Sequence, residues 1–143
     1  MPSVTRVVEL GLPPQEAFQL ATDPTRFADW LTLHQAWPKG APESIDVGAQ
    51  FIQKVIIMGM PADVQWEVEE HSAPDRFVMR GAGPLGARLA TTITAEANAS
   101  GTQVCYEAEF SGGGIQGPMG DMVTKKAGEE IETSLQRLKG LVG

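Results

Sequence analysis

Few side chains in this sequence could move a proton near neutral pH. His34 and His71 are its two histidines, the residue type whose unperturbed pKa lies closest to neutrality. No acid or nucleophile stands at a spacing from either that defines a general acid–base pair, so no catalytic residue is assigned. His71 falls on the acidic face of an alternating segment and His34 in a loop after a short helical segment, so both read as surface residues. Two histidines and the single Cys105, widely separated, do not make a metal site. Tyr106 and Thr91 carry hydroxyls that need a partner if buried, and such a group could orient a bound molecule.

The glycine-rich strings fail as phosphate cradles. Residues Gly81 to Gly86 spell G-x-G-x-x-G, but a strand-like run follows where a helix N-terminus would have to hold the phosphates. A hairpin turn is expected there. Gly112, Gly113 and Gly114 lack the Lys-Ser/Thr of a P-loop and read as a flexible gate. Asn98-Ala-Ser100 matches a glycosylation acceptor without a secretory signal to deliver it. Glu67, Glu69, Glu107 and Glu109 fit a solvated sheet face that resists edge-to-edge pairing better than a cation site. None of these motifs calls for a cofactor.

The bulk properties narrow the partners. The chain has 143 residues, 42% hydrophobic and 20% charged, with a formal charge of −7, which suits one domain, 1–143, with one core. Its mean hydropathy is −0.12 and its pI about 4.7. An acidic balance argues against nucleic acid and anionic lipid surfaces, both of which need a basic footprint. No apolar run approaches the roughly 18–20 residues of a membrane span, and the start MPSVTRVVELG has no signal-peptide core. A cytoplasmic protein without stable membrane insertion is expected.

The elements follow from period. Residues 4–10 (VTRVVEL) read as a strand ending at Gly11. PPQEAFQLATD then offers prolines for a helix start, with Ala17, Leu20 and Ala21 on one face. Asp23 before Pro24 is an N-cap for a second short helix, TRFADWLTL, where Phe27, Trp30 and Leu31 form one stripe. From about residue 43 to 110 the period becomes two. Val64, Trp66 and Val68 alternate with Gln65, Glu67 and Glu69, and Val104, Tyr106, Ala108 and Phe110 alternate with Cys105, Glu107 and Glu109. Phe77 with Met79, and Leu89 with Thr91, Ile93 and Ala95, mark two strands between them. FIQKVIIMGM carries apolar groups on both faces, so cover on both sides is expected. Short turns between these runs favour antiparallel neighbours. After SGGGIQGP, apolar residues from Met119 to Leu138 recur at three and four, giving one helix of about 23 residues, roughly 34 Å long.

A long helix with one apolar stripe must cover the apolar face of the meander. Long antiparallel strands twist into a concave surface, and one helix cannot touch every strand closely. A cavity between sheet, long helix and short helices is expected. This α+β order, with a curved antiparallel sheet wrapped around a long C-terminal helix and two short helices after strand one, resembles the helix-grip fold of the START-like, Bet v 1-like (SRPBCC) superfamily. The closer resemblance is to its polyketide cyclase/dehydrase and lipid-transport branch. It covers essentially the whole chain and rests on Pro13-Pro-x-Glu-Ala-Phe-x-Leu-x-Thr-Asp-Pro24, Trp30 closing the second helix, and Gly112–Gly114 before the last helix. KVIIMGMPADVQWEV also resembles a bacterial subfamily labelled as toxins of toxin–antitoxin pairs. The resemblance implies a cavity for a hydrophobic ligand opening near the glycine loop, and it implies no single activity.

Inward strand residues and the helix stripe would line that cavity: Trp30, Trp66, Val68, Phe77, Met79, Thr91, Ile93, Tyr106, Phe110, Met119 and Met122. Apolar walls with a few polar anchors suit small molecules, and methionines adapt to different shapes. Enzymatic cyclases of the family steer an aldol step with Arg, Tyr, Ser or acidic groups inside the cavity. Here strict alternation points Arg80 and Arg88 outward. The expected function is binding, as carrier or sensor, of a small hydrophobic or amphipathic molecule such as a lipid or polyketide-like compound. The alternatives are a cyclase or dehydratase, and a toxin acting through protein interaction with a small antitoxin-like partner.

Overall fold

The computed structural model describes residues 3–57, 59–112 and 117–142. Strand β1 (Ser3–Leu10) leads into helix α1 (Pro14–Thr22), which has Pro14 at its first position and Glu16 in its first turn. Asp23 then caps a single 3-10 turn, Pro24–Arg26, its Oδ1 accepting from the Thr25 amide at 3.0 Å and the Thr25 hydroxyl at 2.7 Å. Helix α2 (Phe27–Trp30) is one turn long.

This second helix ends earlier than its apolar stripe predicts. The Thr32 amide donates to Ser134 Oγ at 2.9 Å, and the Thr32 hydroxyl reaches the Glu130 carbonyl at 3.1 Å. These bonds to the C-terminal helix take over from the next helical turn. The chain leaves Leu31 extended and makes a short strand β2 (His34–Ala36). His34 therefore lies in an edge strand and not in the predicted loop.

The remaining strands are β3 (Gln50–Ile57), β4 (Met60–Ser72), β5 (Arg76–Ala82), β6 (Arg88–Asn98) and β7 (Gly101–Ser111). They form one antiparallel sheet in the order β1-β7-β6-β5-β4-β3-β2. Helix α3 (Gly117–Val142) turns Ala127, Ile131, Leu135 and Leu138 into the interior and packs chiefly against β1. Together these elements make the helix-grip architecture implied by the sequence. The G-x-G-x-x-G string is the β5–β6 connection, as expected: Gly86 has a φ of 78° and β6 follows directly.

Two local details decide what faces inward. Gly81 on β5 lies opposite Trp66, and a Cβ there would stand 2.7 Å from Trp66 Cε3 and 2.6 Å from Val64 Cγ1. The missing side chain makes room for the indole. On β4 the register shifts between Val68 and Glu70, a β-bulge that reverses the alternation beyond it. His71 consequently pairs with Phe77 on the inner face, which corrects its assignment to the acidic face. The outer face is acidic as predicted, with Arg80 paired to Glu69, and Arg76 to Glu70 at 3.3 Å.

Candidate functional site

The strand registers gather the sheet's candidate residues into three adjacent rungs of the concave face. The first holds Phe77, Ile93 and Tyr106, the second Val68, Met79 and Thr91, and the third Trp66 and, across Gly81 and Leu89, Phe110. All eight are buried, as is Trp30, whose ring meets Tyr106 edge-on at 6.4 Å. Two candidates stand elsewhere: Met119 and Met122, in the first turns of α3, are 52% and 55% exposed. The cause is helical phase, since the buried stripe there passes through Gly120. Of the proposed gate, Gly112 is exposed with a φ of 69°, while Gly113 and Gly114 lie outside the described residues.

The polar groups of the interior are neutral. Burial pushes the Tyr106 phenol up to about 12, partly offset by its hydrogen bond with Thr91. Trp66 donates from Nε1 to Gln53 Oε1 at 2.9 Å, and the Gln53 amide nitrogen stands 2.9 Å from His34 Nδ1. Because the indole N–H must meet the amide oxygen, the Gln53 NH2 faces the imidazole and Nδ1 must accept. His34 is thus held neutral with its proton on Nε2, and burial lowers its pKa. Among the described residues, Trp30 Nε1 is the buried side-chain nitrogen or oxygen without a hydrogen-bond partner.

Two open grooves lie at the margins of this sheet. One, of about 510 Å³, runs between the Lys39–Pro42 loop and strands β3 and β4, and is bordered by Phe51, Gln65 and Trp66. The other, of about 570 Å³, lies between α1 and the β4–β5 turn, with Phe18, Thr22, Ile45 and His71 on its walls. Trp66 is the candidate residue that borders one of them. His71 packs against Phe18 at 5.9 Å and Phe77 at 5.6 Å, with Nδ1 2.9 Å from the Ile45 carbonyl.

Sequence reasoning missed Trp37, Phe51 and Gln53. Phe51, Trp37, Phe27, Trp30 and Tyr106 form a chain of ring contacts, each between 5.7 and 6.4 Å, from the first groove to the sheet centre. Phe51 and Gln53 share a face at spacing two, a signal hidden by the isoleucines on the other face of β3. Trp37 sits in irregular chain and had no periodic signal. Among the described residues no cluster of His, Cys, Asp and Glu could hold a metal ion, and no helix is long and apolar enough to cross a membrane.

Similarity to known proteins agrees with this architecture. The chain is 28% identical over 136 residues to a Mycobacterium tuberculosis protein named Toxin Rv0910, covering 95% of this chain and 94% of the relative. It is 25% identical over 143 residues to the uncharacterized M. tuberculosis protein Rv1546, covering both chains in full. Among solved structures, a START superfamily protein from Mycobacterium smegmatis superimposes with a TM-score of 0.78 at 17% identity, over 98% of this chain and 96% of that one. A protein from Chromobacterium violaceum does so at 0.76 and 18%, over 99% and 98%. The family described as polyketide cyclase / dehydrase and lipid transport matches residues 1–143, and with the curled sheet gripping α3 this places the chain in that family.

Proposed function

We propose that this protein is a carrier or sensor that buries a small hydrophobic or amphipathic molecule, such as a lipid or polyketide-like compound, between the concave sheet and α3. The observation that carries the reading is the three-rung apolar and aromatic surface formed by β4 to β7, which includes the hydroxyls of Thr91 and Tyr106. The ligand's apolar body would lie against Trp66, Phe77, Met79 and Tyr106, and a hydroxyl would orient it. A ligand of about 20 heavy atoms at roughly −0.3 kcal/mol per atom binds with about −6 kcal/mol, or tens of micromolar.

Binding is favoured over cyclisation because the buried, partnered Arg or acid that the cyclase reading predicts is not found among the described residues. The buried polar side chains described are Thr22, Gln53, Thr91, Thr102 and Ser134, and Arg80 and Arg88 are exposed. Native mass spectrometry of protein purified from its own host tests the reading. A discrete extra mass, lost in folded Trp66→Ala or Tyr106→Ala protein, is the expected result. A bare mass, followed by flat amide shifts around Met79 and Tyr106 on titration with fatty acids, sterols and flavonoids, would overturn it.

One observation favours a second reading, interaction with a small protein partner. Met60, Leu85, Met119 and Met122 are 66%, 91%, 52% and 55% exposed; Met60 and Leu85 stand at the β3–β4 and β5–β6 connections and the other two in the first turns of α3. A relative named as a toxin points the same way. Induced expression would then arrest growth, and co-expression of the product of a small adjacent gene would relieve it. Unimpaired growth would remove this reading.

A further inference from the structure

The chemistry of the ligand's polar end can be read from one group in the core. Trp30 closes α2 with 1% of its surface exposed, and among the described residues no atom accepts from its Nε1–H. The other two indoles are satisfied, Trp66 by Gln53 at 2.9 Å and Trp37 by the Pro24 carbonyl at 3.2 Å. A buried indole N–H without an acceptor is costly, and native cores seldom keep one. The ring stands edge-on to Tyr106, with centroids 6.4 Å apart. The orphan donor therefore sits beside the rung of Phe77, Ile93 and Tyr106.

The surroundings decide which acceptor fits. The buried polar side chains described are all uncharged. Arg6, the cation opposite Tyr106 on β1, is 42% exposed and stands 3.8 Å from Glu132. A carboxylate brought to Trp30 would lose its hydration and meet no free cation. We infer that Trp30 Nε1–H is the polar anchor of the ligand site and that the ligand presents to it an uncharged carbonyl, as in a ketone, ester or amide, and not a carboxylate. This rests on the binding function proposed above. Binding also requires the core to part, because the two grooves border Trp66 and Phe18 but not Trp30.

Three probes of matched size separate the possibilities: butyrophenone, butylbenzene and 4-phenylbutyrate at pH 8. Each is titrated into the ¹⁵N-labelled full chain, whose three tryptophans give three indole cross-peaks. Butyrophenone is expected to move the Trp30 indole proton downfield while those of Trp37 and Trp66 stay, and to bind about three- to tenfold more tightly than butylbenzene. Phenylbutyrate should bind more weakly than the ketone. Trp30→Phe should abolish the preference for ketone over hydrocarbon while both still bind. Should that variant not fold, the three titrations of the unaltered chain still decide. Equal binding of ketone and hydrocarbon, a static Trp30 peak while β6 and β7 amides shift, or tighter binding of phenylbutyrate would overturn the anchor and leave the binding function standing. Absence of any shift with all three probes would count against both.

Discussion

The amide nitrogen of Gln53 and Nδ1 of His34 stand 2.9 Å apart, and the Trp66 indole fixes which of them donates. Gln53 is 2% exposed, so the amide has no water to turn toward. Protonating His34 would set two donors face to face. The edge strand β2 and Trp66 at the wall of the first groove are tied together through this one side chain.

Acid should loosen that tie. His34 has its pKa lowered below 6.5 by burial, so below that value the unfolded chain takes up the proton more readily than the folded one. The contribution is complete above about pH 6.5 and is lost as pH falls toward the depressed folded value. A thermal midpoint measured from pH 8 to pH 5 should decline across this window, and less so in His34→Gln. Identical slopes for the two proteins would contradict the tautomer assigned here.

Tyr106 makes the opposite prediction at alkaline pH. It is the single tyrosine of the chain, so tyrosinate absorbance reports it alone. Its pKa is raised from 10.0 to about 12 by burial. Above pH 10 the unfolded chain loses the proton first, so stability falls as pH rises toward 12. A spectrophotometric titration of folded protein should show no ionisation near 10, and a normal midpoint would mean that water reaches the phenol.

Gly81→Ala should displace the Trp66 ring. The added Cβ would meet Trp66 Cε3 at 2.7 Å and Val64 Cγ1 at 2.6 Å, and overpacking of this kind costs about 1–3 kcal/mol. Urea denaturation should show the loss, and Trp66→Phe in the same chain should recover part of it through a non-additive coupling. Strict additivity would show that the two positions do not share the space.

Ser134→Ala tests why the second helix stops. Ser134 is fully buried, and its Oγ accepts from the Thr32 amide at 2.9 Å. Losing the acceptor leaves a half-buried backbone donor unpaired, at about 1 kcal/mol. Amide exchange at Thr32 should accelerate by more than exchange at Ile131 on the same helix. Equal acceleration would indicate a global effect and not this bond.

Much of the architecture is legible in the chain itself. Alternation of Val64, Trp66 and Val68 against three polar neighbours sets both the strand and its inner face, because successive side chains of a strand point to opposite sides. The same rule gives Tyr106 and Phe110, and the three-and-four spacing of Ala127, Ile131, Leu135 and Leu138 gives α3. These are local signals, carried by residues that are neighbours in sequence. The candidate site inherited that legibility wherever it stood on a regular strand, and lost it at Met119 and Met122, where a helix stripe shifted its phase to a glycine.

What the tertiary structure decided lies where distant residues compete with local period. His71 belongs by alternation to the acidic face, and one bulged residue against β5 turns it inward to Phe18 and Phe77. TRFADWLTL continues a helical stripe, yet Ser134, 102 positions later, captures Thr32 and ends it. Gln53 looks like an ordinary polar residue until Trp66 and His34 satisfy both ends of its amide in the core. Trp30 shows its open N–H only once the described residues around it have been placed. A sequence states which faces are apolar; hydrogen bonding between buried groups is a property of positions in space, and only the packed chain brings those positions together.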